Sequence, residues 1–215
     1  MSIADAKLNK KQVVQVYSQI AFFYDVWGNL TEAKARSRAL QLANIQDGES
    51  VLEVAVGTGL AFREIVRMNP NGQNFGIDLT QTMLDRARKK LGQTEAHYQL
   101  AIGDAYDLRF ENARFDVLMN SYMFDLLPEV DFVQVLDGFK RVLKPGGRLV
   151  LVNMTKGEHF YQNFYELLYR INPSWMAGCR GVQLANTLPK AGFKNISREM
   201  TSQLGYPSEI LTATL

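Results

Sequence analysis

Cysteine and histidine are nearly missing from this chain, and their scarcity excludes several kinds of chemistry at once. Cys179 is the single cysteine, so no internal disulfide can form. With only His97 and His159 beside it, there are too few ligands for a Cys/His zinc site, and no metal is expected. Neither sign of charge dominates. The 24 Lys and Arg against 22 Asp and Glu leave a net charge of +2, which gives no electrostatic case for nucleic acid. No apolar run approaches the ~18 residues that a membrane span needs, and Met1 to Lys11 lacks the apolar core of a signal peptide. Repeats and low-complexity tracts are absent too. What remains is 215 residues, 47% of them hydrophobic, which is enough to bury a core in one domain. A cytoplasmic protein is expected.

Residues 51 to 60 carry the most information. Val51-Leu52-Glu53-Val54-Ala55-Val56 is a β-branched apolar run holding one acid; Gly57-Thr58-Gly59 follows, and a helical pattern opens at Leu60. This reads as a strand that empties into a ligand-binding turn. Glycines at such a turn allow positive φ and close approach of the backbone to a ligand, and the helix N-terminus offers unpaired N–H groups. The candidate ligand is a nucleotide-like cofactor. A dinucleotide fingerprint begun at Gly57 and Gly59 needs a third glycine at position 62, which is Phe62. The spacing that fits is Glu53-x-Ala55-x-Gly57-x-Gly59, an acid followed by small residues at two-residue steps. Downstream, Gln73 to Asp78 reads as a second short strand ending in an acid, 19 residues after Gly59. That is about where an α/β nucleotide site puts its ribose-binding carboxylate. Asp78 is equally suited to capping the next helix, a task open to Thr80 as well.

These pieces together resemble class I S-adenosylmethionine (SAM) methyltransferases. Glu53 to Gly59 is similar to motif I of that family, with Ala55 in place of the usual first glycine. Asp78-Leu79-Thr80 through Met83-Leu84-Asp85-Arg86-Ala87 matches its D-x-S/T-x-x-M-L-x-x-A block, and Ala101-Ile102-Gly103-Asp104-Ala105 resembles its G-D-A motif. Phe115 to Ser121 resembles its fourth strand, and Arg141 to Leu149 its turn before strand five. The resemblance spans roughly residues 13 to 215 and implies SAM as cofactor. It implies cofactor contacts from Tyr24, Glu53, Ala55, Val56, Gly57, Thr58, Gly59, Asp78, Leu79, Met83, Gly103, Asp104, Ala105 and Asn120. Asp78 would accept the ribose hydroxyls, Met83 would pack on adenine or simply fill the core, and Asp104 would take the adenine amino group.

Apolar patterning places strands near 51–56, 73–78, 97–102, 115–120, 147–154, 193–200 and 208–214, with helices near 58–69, 80–91, 129–142 and 181–191. Such alternation predicts an α/β fold with a parallel sheet covered on both faces. By resemblance it is a Rossmann-like seven-stranded, mostly parallel sheet of order 3-2-1-4-5-7-6, with strand seven antiparallel. Residues 1–215 are expected to form a single domain, with an N-terminal helical lid over 1–30 and a helical insertion over 155–180. In the lid, Val13, Tyr17, Ala21 and Tyr24 recur at helical steps, and Tyr17-x-x-x-Ala21-x-x-Tyr24-Asp25 resembles the lid of quinone and phospholipid methyltransferases. Tyr17 and Tyr24 either bond the cofactor or acceptor or pack the helix on the sheet. In the insertion, Phe160, Tyr161, Phe164, Tyr165, Leu167, Leu168, Tyr169 and Ile171 make a helix apolar nearly all round, which lines an acceptor cavity, is sandwiched or touches a membrane surface. Arg180 reads as an acceptor-binding cation or, in preference, as a solvated surface arginine.

The expected function is therefore methyl transfer from SAM to a small lipophilic acceptor, a phospholipid-like amine or related small molecule, with at most peripheral membrane contact. Val56-Gly57-Thr58-Gly59-Leu60, Trp27-Gly28 and Val152-Asn153 resemble the bacterial phospholipid N-methyltransferases. Tyr24-Asp25-Val26-Trp27-Gly28 and Asn153-Met154-Thr155 depart from the quinone C-methyltransferase signatures. A quinone C-methyltransferase, a natural-product methyltransferase and a SAM-binding protein without methyl transfer stay as alternatives. The sulfonium already activates the methyl group, so catalysis is mostly positioning, and no residue is assigned as catalytic base. The oligomeric state is left open.

Overall fold

The computed structural model describes residues 9–155, 171 and 179–215. Helix α1 (Lys10–Thr31) begins at a capping box: Asn9 Oδ1 accepts from the Gln12 N–H at 3.0 Å and Gln12 Oε1 accepts from the Asn9 N–H at 2.9 Å. Helix α2 (Ala33–Ala43) follows after Glu32, and the alternation then runs β1 (Ser50–Val54), α3 (Leu60–Met68), β2 (Gln73–Asp78), α4 (Gln81–Leu91), β3 (Tyr98–Ile102), β4 (Phe115–Ser121), α5 (Phe132–Val142), β5 (Leu143–Met154), β6 (Lys194–Gln203) and β7 (Tyr206–Thr214). The strands form one sheet in the order β3-β2-β1-β4-β5-β7-β6. The first five are mutually parallel and β7 is antiparallel to both neighbours, as expected.

Strand periodicity divides the core into two layers. Leu52, Val54, Leu118, Leu149 and Leu151 point to the side covered by α5, where Phe132, Leu136 and Phe139 meet them. Val51, Val117, Met119, Val150 and Val152 point to the side covered by α2 and α3, with Ala39, Phe62 and Ile65 against them. Full burial of Phe62, whose ring meets Tyr98 edge-on at 6.4 Å, is worth roughly 2–3 kcal/mol.

Helix α2 has no counterpart in the sequence reading, and of the boundaries that differ from it three have a plain physical cause. Helix α3 starts at Leu60 rather than 58, because Gly57 and Gly59 stand at φ 57° and 81°, which a right-handed helix does not admit. The expected helix over 181–191 is a set of turns across 185–192: Leu188 and Ala191 donate to Leu184 and Thr187, but Pro189 has no N–H to continue the ladder. Strand β5 extends back to Leu143, and Lys144-Pro145-Gly146-Gly147 is a bulge where the register on β4 jumps from Phe115↔Leu143 to Val117↔Arg148. Among the described residues, no helix is long and apolar enough to cross a membrane. Most of the expected helical insertion lies outside the described residues, Tyr161 and Tyr165 among it.

Candidate functional site

The carboxyl ends of β1 to β4 converge on one rim of the sheet, where the strand order reverses, and a cavity of about 380 Å³ opens there. Val54, Ala55 and Gly57 line it after β1, Asp78 and Leu79 after β2, Gly103 and Asp104 after β3, and Ser121 and Tyr122 after β4. Helix α1 forms the opposite wall with Lys10, Val13, Tyr17 and Tyr24, which share one helical face. Asp25 pins that helix. It accepts from the Thr58 hydroxyl and pairs with Lys90 at 2.6 Å, and although burial pushes its carboxyl up, these partners hold it below the usual range.

The turn after β1 contains three residues at positive φ with three different surroundings. A Cβ on Gly57 would meet nothing within 4 Å, so it would project into the open cavity. One on Gly59 would lie 2.8 Å from Ala87 Cβ and 2.9 Å from Ala87 Cα, so Gly59 lets α3 and α4 approach. Ala55 holds φ 60° with a side chain present, a conformation that costs roughly 1–2 kcal/mol.

Asp78 fastens two turns together. Its Oδ2 accepts from the Gly57 N–H at 2.8 Å and its Oδ1 from the Thr80 N–H at 2.9 Å, and it is only 8% exposed. Thr80 occupies the N-cap of α4 but makes no side-chain cap bond. Burial raises the Asp78 carboxyl, and the two N–H donors oppose that rise. A carboxylate oxygen has two lone pairs, so both oxygens keep capacity toward the cavity. Asp104 forms an ion pair with Lys10 and accepts from the Tyr106 N–H at 3.2 Å.

The other end of the cavity is aromatic and apolar. Tyr17 and Tyr24 pack with ring centroids 5.9 Å apart, and Met123, Leu126, Leu127 and Pro128 complete the wall. The hydroxyls point to buried partners: Tyr17 lies 3.4 Å from Cys179 Sγ, Tyr24 donates to Glu32 Oε1 at 3.5 Å, and Tyr122 lies 2.8 Å from Ser208 Oγ. Burial drives all three phenols well above their ordinary range, so they stay neutral.

Residues 51–147 match the family model described as a methyltransferase domain. Over 161 residues the chain is 32% identical to demethylmenaquinone methyltransferase of Staphylococcus aureus (strain JH9), an alignment that covers 72% of this chain and 65% of that protein. The match thus spans just under two thirds of the relative's length. Over residues 51–147 the chain is similar to methyltransferase domains. Among solved structures, Haemonchus contortus phosphoethanolamine N-methyltransferase 2 in complex with S-adenosyl-L-methionine has a TM-score of 0.66 at 18% identity, covering 84% of this chain and 52% of that one. The 4+2 cyclase SpnF has a TM-score of 0.75 at 18% identity over 99% of this chain and 98% of its own. At this identity both show the fold alone, and a cyclase among them illustrates that the fold does not fix the reaction.

The cavity brings together Tyr24, Ala55, Gly57, Asp78, Leu79, Met83, Gly103, Asp104 and Ala105. The other expected contacts sit behind its wall. Glu53 is buried on the α2 side of β1 with Oε2 unpartnered among the described residues, and burial raises its carboxyl despite the Arg36 charge. Val56 packs in the core, Thr58 holds Asp25, and Gly59 meets α4. Asn120 Nδ2 donates to the Val54 carbonyl at 2.8 Å and ties the ends of β4 and β1 together. Arg180 is not solvated: it is 2% exposed, and its Nη2 donates to the Leu127 carbonyl at 2.6 Å, bracing the cavity wall from behind. Sequence reading missed Tyr106, Tyr122 and the 126–128 wall, which belong to no periodic element. The sole available signal was the position of Tyr122 immediately after a strand end.

Proposed function

We propose that this protein transfers the methyl group of SAM to a small lipophilic acceptor that binds among Tyr17, Tyr24 and Tyr122. The division of the cavity carries this reading: one half offers Gly57, Asp78 and Asp104, and the other offers phenol rings and aliphatic side chains. A volume of about 380 Å³ suits a nucleoside-sized ligand, and a Gly57 without a Cβ keeps that space open. Asp78 would hold the ribose hydroxyls, Leu79 and Met83 the faces of the adenine, and Asp104 its amino group once Lys10 yields that carboxylate. The backbone at Ala55 and Gly57 would carry the amino-acid portion, with Gly103 and Ala105 closing the sides. Bound SAM supplies a methyl group already activated by its sulfonium. The protein's part is to align the acceptor beside it and keep water out, which α1 and its tyrosines are placed to do.

In this reading residues 1–215 act as one catalytic domain with α1 as lid. The demethylmenaquinone relative favours an aromatic, quinone-derived acceptor, whereas the Val56–Leu60 and Trp27-Gly28 motifs favour a lipophilic amine. Incubating the protein with methyl-labelled SAM and either naphthohydroquinone or dodecylamine tests both. Label in one product assigns the acceptor class. S-adenosylhomocysteine (SAH) binding with no label in any acceptor would contradict methyl transfer and leave a SAM-binding protein.

A further inference from the structure

Methyl transfer to a hydroxyl or to the carbon beside it releases a proton, and among the described residues the carboxylates that line the cavity are already engaged: Asp78 by the Gly57 and Thr80 N–H groups, Asp104 by Lys10, and Asp131 by the Tyr106 hydroxyl at 2.7 Å. Behind Tyr24, however, lies an acid that the reading above leaves unused. Glu32 sits at the corner between α1 and α2, its own N–H bonded to the Gly28 carbonyl at 3.0 Å, and it is 5% exposed. Its Oε1 accepts from the hydroxyl of Tyr24, a residue that lines the cavity, at 3.5 Å. The nearest cation, Arg36, is one turn on in α2, but its guanidinium donates to the Gly28 carbonyl at 3.4 Å and Asn29 Oδ1 at 2.9 Å rather than to the Glu32 carboxyl. Among the described residues, the remaining titratable groups around Glu32 are Tyr17 on α1, Tyr122 after β4, Asp125, Cys179 and Tyr206 on β7. None of them is cationic. A carboxyl placed here costs stability when ionised.

We propose that Glu32, acting through the Tyr24 hydroxyl, receives the proton that the acceptor loses on methylation. The inference rests on the methyltransferase reading above. As the acceptor's O–H proton moves to the Tyr24 oxygen, the Tyr24 proton passes to Glu32 Oε1. The electron pair released on the acceptor forms the new bond to the methyl carbon, and the pair of the broken C–S bond stays on sulfur. Neutral SAH, the methylated acceptor and a protonated Glu32 result, and Glu32 returns its proton to solvent between turnovers. Tyr24 touches the acceptor; Glu32 is a positioning residue behind it. Burial pushes the Glu32 carboxyl up to about 7, which poises it between both protonation states near neutrality.

The test compares parent, Glu32→Gln and Tyr24→Phe in SAH formation with naphthohydroquinone under anaerobic conditions, as a function of pH, beside calorimetric SAH binding. The parent should show kcat rising through one inflection near pH 7. Both variants should lose on the order of 100-fold in kcat and lose the inflection, with the SAH affinity of Glu32→Gln within about twofold of the parent. Glu32→Asp should restore part of the rate and an inflection. A Glu32→Gln protein that keeps the parent's rate and pH profile overturns the proposal while leaving the methyltransferase reading intact. If Glu32→Gln does not fold, Tyr24→Phe decides alone, and retention of rate and inflection there overturns the relay. A parent that binds SAH but methylates neither naphthohydroquinone nor dodecylamine overturns both. A readout independent of turnover is denaturation stability, which should fall between about pH 5 and 8 by a larger amount in the parent than in Glu32→Gln.

Discussion

Alanine at Gly57 and alanine at Gly59 should separate ligand binding from stability within one turn. Both glycines hold positive φ, 57° and 81°, so each substitution forces a Cβ into a left-handed conformation at about 1 kcal/mol. There the similarity ends. At Gly59 the new atom would stand 2.8 Å and 2.9 Å from Ala87 Cβ and Cα, well inside contact distance, and the backbone of α4 cannot turn away as a flexible side chain would. Prising α3 from α4 adds roughly 1–3 kcal/mol, for a total loss of about 2–4 kcal/mol, a large share of the ~5–15 kcal/mol typical of a domain. At Gly57 the new methyl meets no protein atom within 4 Å, so stability should fall only by the backbone term. The methyl instead occupies the space claimed for the cofactor, and SAH affinity should drop by at least about tenfold, or 1.4 kcal/mol. Urea denaturation gives the first quantity and calorimetric titration of the folded protein with SAH the second. Equal stability losses would refute the packing argument, and parental SAH affinity in Gly57→Ala would refute the placement of the cofactor.

Replacing Ala55 by glycine relieves a residue at φ 60°, and after the greater chain entropy of glycine is subtracted should stabilise the protein by up to about 1 kcal/mol, read as a higher urea midpoint. Asp78→Ala removes the acceptor for both the Gly57 and Thr80 N–H groups, so it should lower stability as well as weaken SAH binding by about one to several kcal/mol; unchanged values for both would show that the carboxylate serves neither turn nor ribose. Glu32 titrates at about 7 in the folded state against 4.5 in an ordinary carboxyl, so its stabilising contribution is complete below about pH 4.5 and is lost as pH rises through 7. That loss is on the order of 3 kcal/mol, and Glu32→Gln should flatten the pH dependence of the denaturation midpoint by about that amount.

The parts of the molecule that local patterning governs were legible in the sequence. Strand order followed from motif resemblance, and the positions of β1, β2 and β4 from apolar runs that end in Glu53-Val54, Asp78 and Asn120-Ser121. Gly57 stood out only together with the downstream motifs, because a strand that empties into two glycines is equally a plain tight turn. The rest depends on contacts between distant residues. Tyr17 meets Cys179 across 162 positions, and Lys10 meets Asp104 across 94, so no window around either residue could announce the pair. Arg180 looks solvated in its own neighbourhood, and only the return of the chain beneath Leu127 buries it. Thr58 and Asn120 belong to the recognised motifs, and their partners, Asp25 and the Val54 carbonyl, lie 33 and 66 positions away, so their bracing contacts could not be read locally either. The helix expected over 181–191 had the right apolar spacing, but Pro189 interrupted its hydrogen bonds.

The central claim is that the cofactor lies at the rim of β1 to β4 beneath α1. Hydrogen exchange with and without SAH measures this most directly. Slower exchange should concentrate in the turn after β1 around residues 55–59, in 78–84, in 103–106 and along α1, with the far end of the sheet at β6 unchanged. Protection confined to β6 and β7, or spread evenly with none at Gly57 and Asp78, would contradict it.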